Sequence, residues 1–224
     1  MATRQQRPDG LIFDLDGTLV DTVGARIEGW IEALAAVGLP AARGQVGPLI
    51  GMDGKQLARD VAAAARRELS DHEVEAIDKA AGEAFDRLNH SPRTLPGVRE
   101  ALDAAEAAGI RWVIATSSRK EQVTASVSAL ELAVEPEIVD GGHVKHAKPA
   151  PDLLLVAAER LGLEPARCWA VGDSTWDMRA AVAAGIAGVG VTAGSAVSRE
   201  ALLEAGASLV VETLAELRSH LATS

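Results

Sequence analysis

The stretch LIFDLDGTLVDT, Leu11 to Thr22, decides the fold. Three apolar residues run straight into Asp14 and then Asp16, and Gly17 follows at once. The apolar run has the length and composition of a buried strand. Side chains alternate along a strand, so acids two residues apart share a face. Unpaired carboxylates that close repel each other, and one would hold a proton unless a cation lies between them. The end of this strand therefore reads as a place where chemistry needs acids.

The same texture recurs down the chain. Short apolar runs that end in polar residues or glycine begin near residues 11, 111, 137, 168, 188 and 208. Alanine-rich amphipathic stretches lie between most of them, at 98–109, 150–162 and 174–185, each closing on a glycine, a common helix stop. Ser174 is placed to cap the last of these, and Asp152 sits near the start of the one before it. Short buried strands alternating with helices predict an α/β chain, a Rossmann-like parallel sheet with helices on both faces. Residues 21–93 break the rhythm. They carry helical patterns at 22–38, 54–69 and 71–88 and no apolar strand run, and SPRTLPG closes them off. The expected organisation is a core of residues 1–20 and 94–224 with a small all-helical domain, 21–93, inserted after the first strand.

Composition bounds the function. Of the 224 residues 48% are hydrophobic, enough for a sizeable core, and the formal net charge is -10. That charge argues against a broad nucleic-acid or anionic-membrane surface and leaves room for a small phosphate pocket. No apolar run approaches the ~20 residues of a membrane span. The opening MATRQQRPDG lacks the apolar stretch of a signal peptide and reads as a short frayed tail. The expectation is a cytoplasmic protein without a nucleic-acid or membrane partner, with monomer or dimer left open. The lone Cys168 excludes an internal disulfide and reads as a buried core thiol.

In an open parallel sheet, ligands bind beyond the carboxyl ends of the strands. The first strand ends on Asp14 and Asp16, the second on Thr116, Ser117 and Ser118. The run HAKPAPD puts Lys148 in a loop before a helix, and the strand from Cys168 ends on Asp173, with Asp177 four residues on. Each has an ordinary reading alone: a strand-end turn, a helix cap, a solvated lysine. Together, on neighbouring strands, they form a phosphoryl-transfer kit. A hard divalent cation, Mg²⁺ where phosphate is handled, would make the acids compatible. One carboxylate can form an aspartyl-phosphate. A second, two residues on, can protonate the leaving group and then activate water. Lys148 with the hydroxyls of Thr116 and Ser117 can hold the phosphoryl oxygens. Gly17 would let the backbone turn sharply beside them.

Four ordered motifs make the chain resemble the haloacid dehalogenase superfamily: DLDGT at 14–18, the apolar run WVIATSS, KPAPD at 148–152, and GDSTWD at 172–177. The resemblance spans nearly the whole chain, and 21–93 is similar to the cap that many members insert. It implies that Asp14 is the nucleophile and Asp16 the general acid and base. It implies a metal site of Asp14, the backbone carbonyl of Asp16, Asp173 and Asp177, with Thr116, Ser117 and Lys148 on the phosphoryl group. Arg26, Trp30, Met52 and Lys55 are the cap candidates for substrate contact.

The resulting expectation is a Mg²⁺-dependent hydrolase of small phosphorylated metabolites. Asp16 speaks against dehalogenation, because the dehalogenases lack an acid there. A phosphonoacetaldehyde hydrolase-like chemistry would need a cap lysine, for which Lys55 is the candidate. A sugar-phosphate mutase resembling β-phosphoglucomutase often carries a histidine on the first cap helix. Here the first histidine is His72, so Asp16 would lack the cap partner usual in the mutases, and water would more easily take the phosphoryl group. A non-catalytic phosphoacceptor protein is the further alternative, disfavoured by the acid beside the nucleophile.

Overall fold

A computed structural model of the chain describes residues 7–118 and 120–222. Most of the stretch expected to be a tail, residues 1–6, lies outside them. The chain opens with β1 (Gly10–Phe13) and then runs through α1 (Val23–Ala36), α2 (Arg43–Val46), α3 (Gly54–Ala64) and α4 (Asp71–Leu88). Next come α5 (Val98–Ala107), β2 (Arg111–Ala115), α6 (Lys120–Ser128), β3 (Ile138–Val139) and α7 (Asp152–Leu161). It closes with β4 (Cys168–Gly172), α8 (Thr175–Ala184), β5 (Ala187–Val191), α9 (Arg199–Glu204), β6 (Leu209–Val211) and α10 (Leu214–Leu221).

The six strands form one parallel sheet in the order β3-β2-β1-β4-β5-β6. Each falls where an apolar run begins in the sequence. β1 pairs with β2 on one side, Phe13 opposite Ile114, and with β4 on the other, Phe13 opposite Val171. The chain leaves β1 towards one edge of the sheet and leaves β4 towards the other. Loops diverge there, and the crevice they open at the carboxyl ends is where such sheets hold ligands.

Alternation builds the two faces. Leu11 and Phe13 join the cluster formed with α5 and α10, through Ala101, Leu102, Leu214 and Leu217. Ile12, between them, joins Leu153, Leu154, Ala157, Ala180 and Ala181 of α7 and α8. Cys168 is buried in that second cluster, as expected of a core thiol. Small alanines on α8 let it approach the sheet closely, which fixes where the start of that helix points.

Of the five helices between β1 and β2, the first four, α1 to α4, have a hydrophobic cluster of their own, including Ile27, Trp30, Leu34, Leu57, Val61, Val74 and Ile77. Leu95 and Val98 already belong to the sheet's cluster. The two connections run side by side: Asp21 N–H donates to Arg93 O at 2.8 Å, and Leu95 N–H to Leu19 O at 3.0 Å. The helical pattern at 54–69 overreaches, since α3 ends at Ala64. Arg66 takes a left-handed φ of 57°, and Arg67 N–H bonds back to Ala62 O at 2.9 Å. This is a glycine-type helix stop made without glycine. The Arg67 side chain supports it by bonding Val37 O at 2.6 Å and Glu73 at 2.9 Å.

Ile12 lies on the central strand, buried against α7 and α8. Ile12→Ala should cost about 2–5 kcal/mol, because the closely packed helices cannot collapse into the gap. A urea titration should show a lower midpoint at unchanged slope.

Candidate active site

Asp14 is the first residue past β1, anchored by its N–H to Val171 O at 2.8 Å. Asp173 is the first past β4, and α8 starts two residues later. Ser174 caps α8: its N–H and hydroxyl donate to Asp177 Oδ2 at 2.9 and 2.5 Å, and its oxygen accepts from Asp177 N–H at 3.2 Å. This reciprocal cap holds Asp177 pointing back towards the sheet. A Cβ on Gly172 would sit 2.5 Å from Asp177 Cβ and Cγ, so a glycine is needed for that return. Gly17, at φ +84°, makes the same allowance for Asp173, whose Oδ2 lies 2.5 Å from where its Cβ would be.

These elements bring Asp14, Asp173 and Asp177 together, with ligand oxygens within 4.8 Å of one another. Lys148, buried on its loop, bridges two of them at 2.5 Å from Asp14 Oδ1 and 2.6 Å from Asp177 Oδ1. Thr18 Oγ1 donates to Asp173 Oδ1 at 3.3 Å, and Ser195 Oγ donates to the Asp173 carbonyl at 2.6 Å. Three buried carboxylates around one ammonium leave negative charge uncompensated. Burial, together with the charges of Asp177 and Asp16, outweighs Lys148 and pushes Asp14 up to about 7. Burial and the charges of Asp177 and Asp14 likewise raise Asp173 well above the usual carboxylate range. Burial works against the Lys148 ammonium, but Asp14 and Asp177 more than compensate and keep it charged. A cluster of hard oxygen donors short of positive charge fits a divalent cation.

Asp16 lives in a different environment. Its Oδ1 accepts from Thr22 Oγ1 at 2.7 Å. Its Oδ2 accepts from Ser118 Oγ at 2.6 Å and from Arg26 Nη2 at 2.9 Å. Arg26 also bonds Ser118 Oγ. Burial alone would raise this carboxyl, but the Arg26 charge and the bonds from Ser118, Thr22 and Arg26 outweigh it and hold it below the usual range. The helical segment gives Asp16 no histidine, as expected from the sequence, but it does supply a partner. The partner is a guanidinium from the first turn of α1, an always-charged group.

Thr116 accepts the Ser118 N–H at 3.1 Å. The Ser117 hydroxyl is buried with no hydrogen-bond partner among the described residues. Above these groups opens a cavity of about 560 Å³, walled on the far side by α1, α3 and α4. Trp30, Met52 and Lys55 all border it. Lys55 is ion-paired with Glu75 at 2.7 Å, so it is not the free amine that a Schiff base needs. Sequence reasoning names Ser118 only as a strand-end hydroxyl and Thr18 only as part of DLDGT, gives neither a role, and does not reach Ser195. A signal for the Asp16 seat is present in the spacing of Thr22 and Arg26, four residues apart on one helix face.

Comparison with known proteins gives a consistent picture. A family model described as haloacid dehalogenase-like hydrolase matches residues 8–185. A probable phosphatase, IndB, from Dickeya dadantii is 33% identical, covering 92% of this chain and 90% of that protein. The fructose-1-phosphate phosphatase YqaB from Escherichia coli is 31% identical, covering 83% and 97%. The crystal structure of a hydrolase from Pseudomonas syringae superposes with a TM-score of 0.88 at 34% identity, covering 96% of this chain and 98% of that one.

The crowded carboxylates generate a pH signature. Asp14 and Asp173 are raised above their unfolded values, so the stability they leave intact at low pH is lost as pH rises through the folded values. In chelator, the melting temperature should fall as pH climbs from about 4, where unfolded carboxyls ionise, towards the folded Asp14 value of about 7, and Mg²⁺ should flatten that fall. Identical pH profiles with and without Mg²⁺ would show that no cation enters the cluster.

Proposed function

This chain belongs to the haloacid dehalogenase-like hydrolases, and we propose that within that family it is a Mg²⁺-dependent hydrolase of small organic phosphomonoesters. The observation that carries the reading is the pairing of two acids with opposite environments. Asp14 lies in an anionic cluster with Asp173, Asp177 and Lys148, while Asp16, two residues away, sits in a separate cationic and hydroxyl seat. Environments that separate two carboxylates in this way assign them different roles. The phosphatase names of the relatives support the same reaction.

In the proposed reaction, Asp16, ionised in its seat, takes up the proton that a phosphomonoester monoanion brings; Asp14 then attacks phosphorus, the bond to the leaving-group oxygen breaks, and Asp16 passes that proton to the departing oxygen. Asp16 then takes a proton from water, the water oxygen attacks the aspartyl-phosphate, and Asp14 leaves as a free carboxylate. Lys148 and Thr116 hold phosphoryl oxygens, and the unpartnered Ser117 hydroxyl gains its missing acceptor from the same group. Asp14, Asp173, Asp177 and the Asp16 carbonyl would hold Mg²⁺, which supplies the positive charge the cluster lacks. Residues 21–93 act as a cap over the core of 1–20 and 94–224, excluding water from the leaving group. Trp30, Met52 and Lys55 face the leaving group from that side.

Phosphate release from a panel of phosphomonoesters with Mg²⁺ should be lost in chelator and fall below detection in Asp14→Asn. Asp16→Asn should lose about 10²–10⁴-fold in kcat, the range of a general acid and base. Turnover that survives both chelation and Asp14→Asn would refute the mechanism.

A further inference from the structure

We infer that Arg26 is a positioning residue for Asp16, and that the packing of α1 against α4 sets its aim. The inference rests on the reading of Asp16 as the proton carrier. The first observation is the completeness of the seat. Both carboxyl oxygens of Asp16 are held, by Thr22 and Arg26 from α1 and by Ser118 from the loop after β2. Thr22 occupies the N-cap position of α1 yet makes no side-chain capping bond. Its hydroxyl goes to Asp16 instead, so α1 gives up a capping bond, typically worth about 1 kcal/mol. A local rule broken at such a place marks a site with another use.

The second observation is what holds Arg26. Its guanidinium carbon lies 3.5 Å from the centre of the Phe85 ring on α4, and its side chain is only 15% exposed. Three residues along α1, a Cβ on Gly29 would come within 3.1 Å of Ala81 O and Phe85 N. The two helices therefore pack as closely as a glycine permits at the point that carries the ring under the guanidinium. Arg26 spans three elements: it rises from α1, rests on α4, and bonds Asp16 and Ser118 of the sheet layer. The hydrogen bonds from its Nη2 go to those two core residues, so this donor serves to aim Asp16 and is not left for a leaving group.

The test compares Arg26→Ala, Arg26→Lys and Phe85→Leu with wild type on phosphomonoesters of differing leaving groups. Arg26→Ala should lower kcat by about 10²-fold, the cost of a misplaced catalytic group, with KM within about threefold and the same loss for every leaving group. Arg26→Lys should keep part of the rate, Phe85→Leu should show the same pattern more weakly, and millimolar guanidinium should restore part of the Arg26→Ala rate. The exposed Arg87, paired with Glu32, serves as control, and Arg87→Met should behave as wild type. An unchanged kcat, or a rise in KM that depends on the leaving group, overturns the assignment. Wild type without turnover would instead bring down the hydrolase reading. The seat is then read by amide exchange over residues 15–20, which should speed up about tenfold in Arg26→Ala and recover with guanidinium. Unchanged exchange overturns the seat whatever the activity.

Discussion

The burial of three carboxylates, with a fourth half-buried beside them, at the carboxyl edge of one sheet is the constraint on which the rest of this structure depends. Asp14, Asp173 and Asp177 crowd around Lys148, and Asp16 is taken into a separate seat by Thr22, Ser118 and Arg26. Charges out of water are tolerated only when paired and hydrogen-bonded. The fold meets that demand with the segments that follow four strands, β1 to β4, and with the first turn of α1. One ammonium does not balance three acids, and the oxygen cluster of Asp14, Asp173 and Asp177 could hold a cation that makes up the difference.

The geometry of the supporting frame follows from that crowding. β1 and β4 are neighbours whose connections diverge, so the acids that follow them share one crevice. Gly17 and Gly172 are placed where side chains would collide with Asp173 and Asp177. Ser174 and Asp177 cap α8 reciprocally, so a bond that stabilises the helix also orients a carboxylate. Secondary structure and site are built from the same hydrogen bonds here.

Much of this is legible in the order of the residues. The strands announce themselves because both faces of the sheet are covered, which leaves β1, β2 and β4 apolar almost throughout. The acids stand out because they interrupt that apolarity at strand ends. The end of α3 is not legible, since Arg66 stops the helix in a conformation that sequence rules reserve for glycine. The partner of Asp16 is legible only as a spacing, Thr22 and Arg26 four residues apart. The sequence shows that the mutase histidine is missing there, but not that a guanidinium steadied by Phe85 takes its place. No local pattern announces a stacking partner that arrives from another helix.

By itself, then, the order of the residues determined the sheet and the inserted helices, because periodicity is a local property, and its ordered motifs marked Asp14, Asp16, Thr116, Lys148, Asp173 and Asp177 as candidates. Tertiary structure alone decided which groups share charge. Lys148 meets Asp14 across 134 residues, and Ser118 meets Asp16 across 102. Ionisation depends on distances of a few ångströms in a medium that screens poorly, and only the folded chain sets those distances.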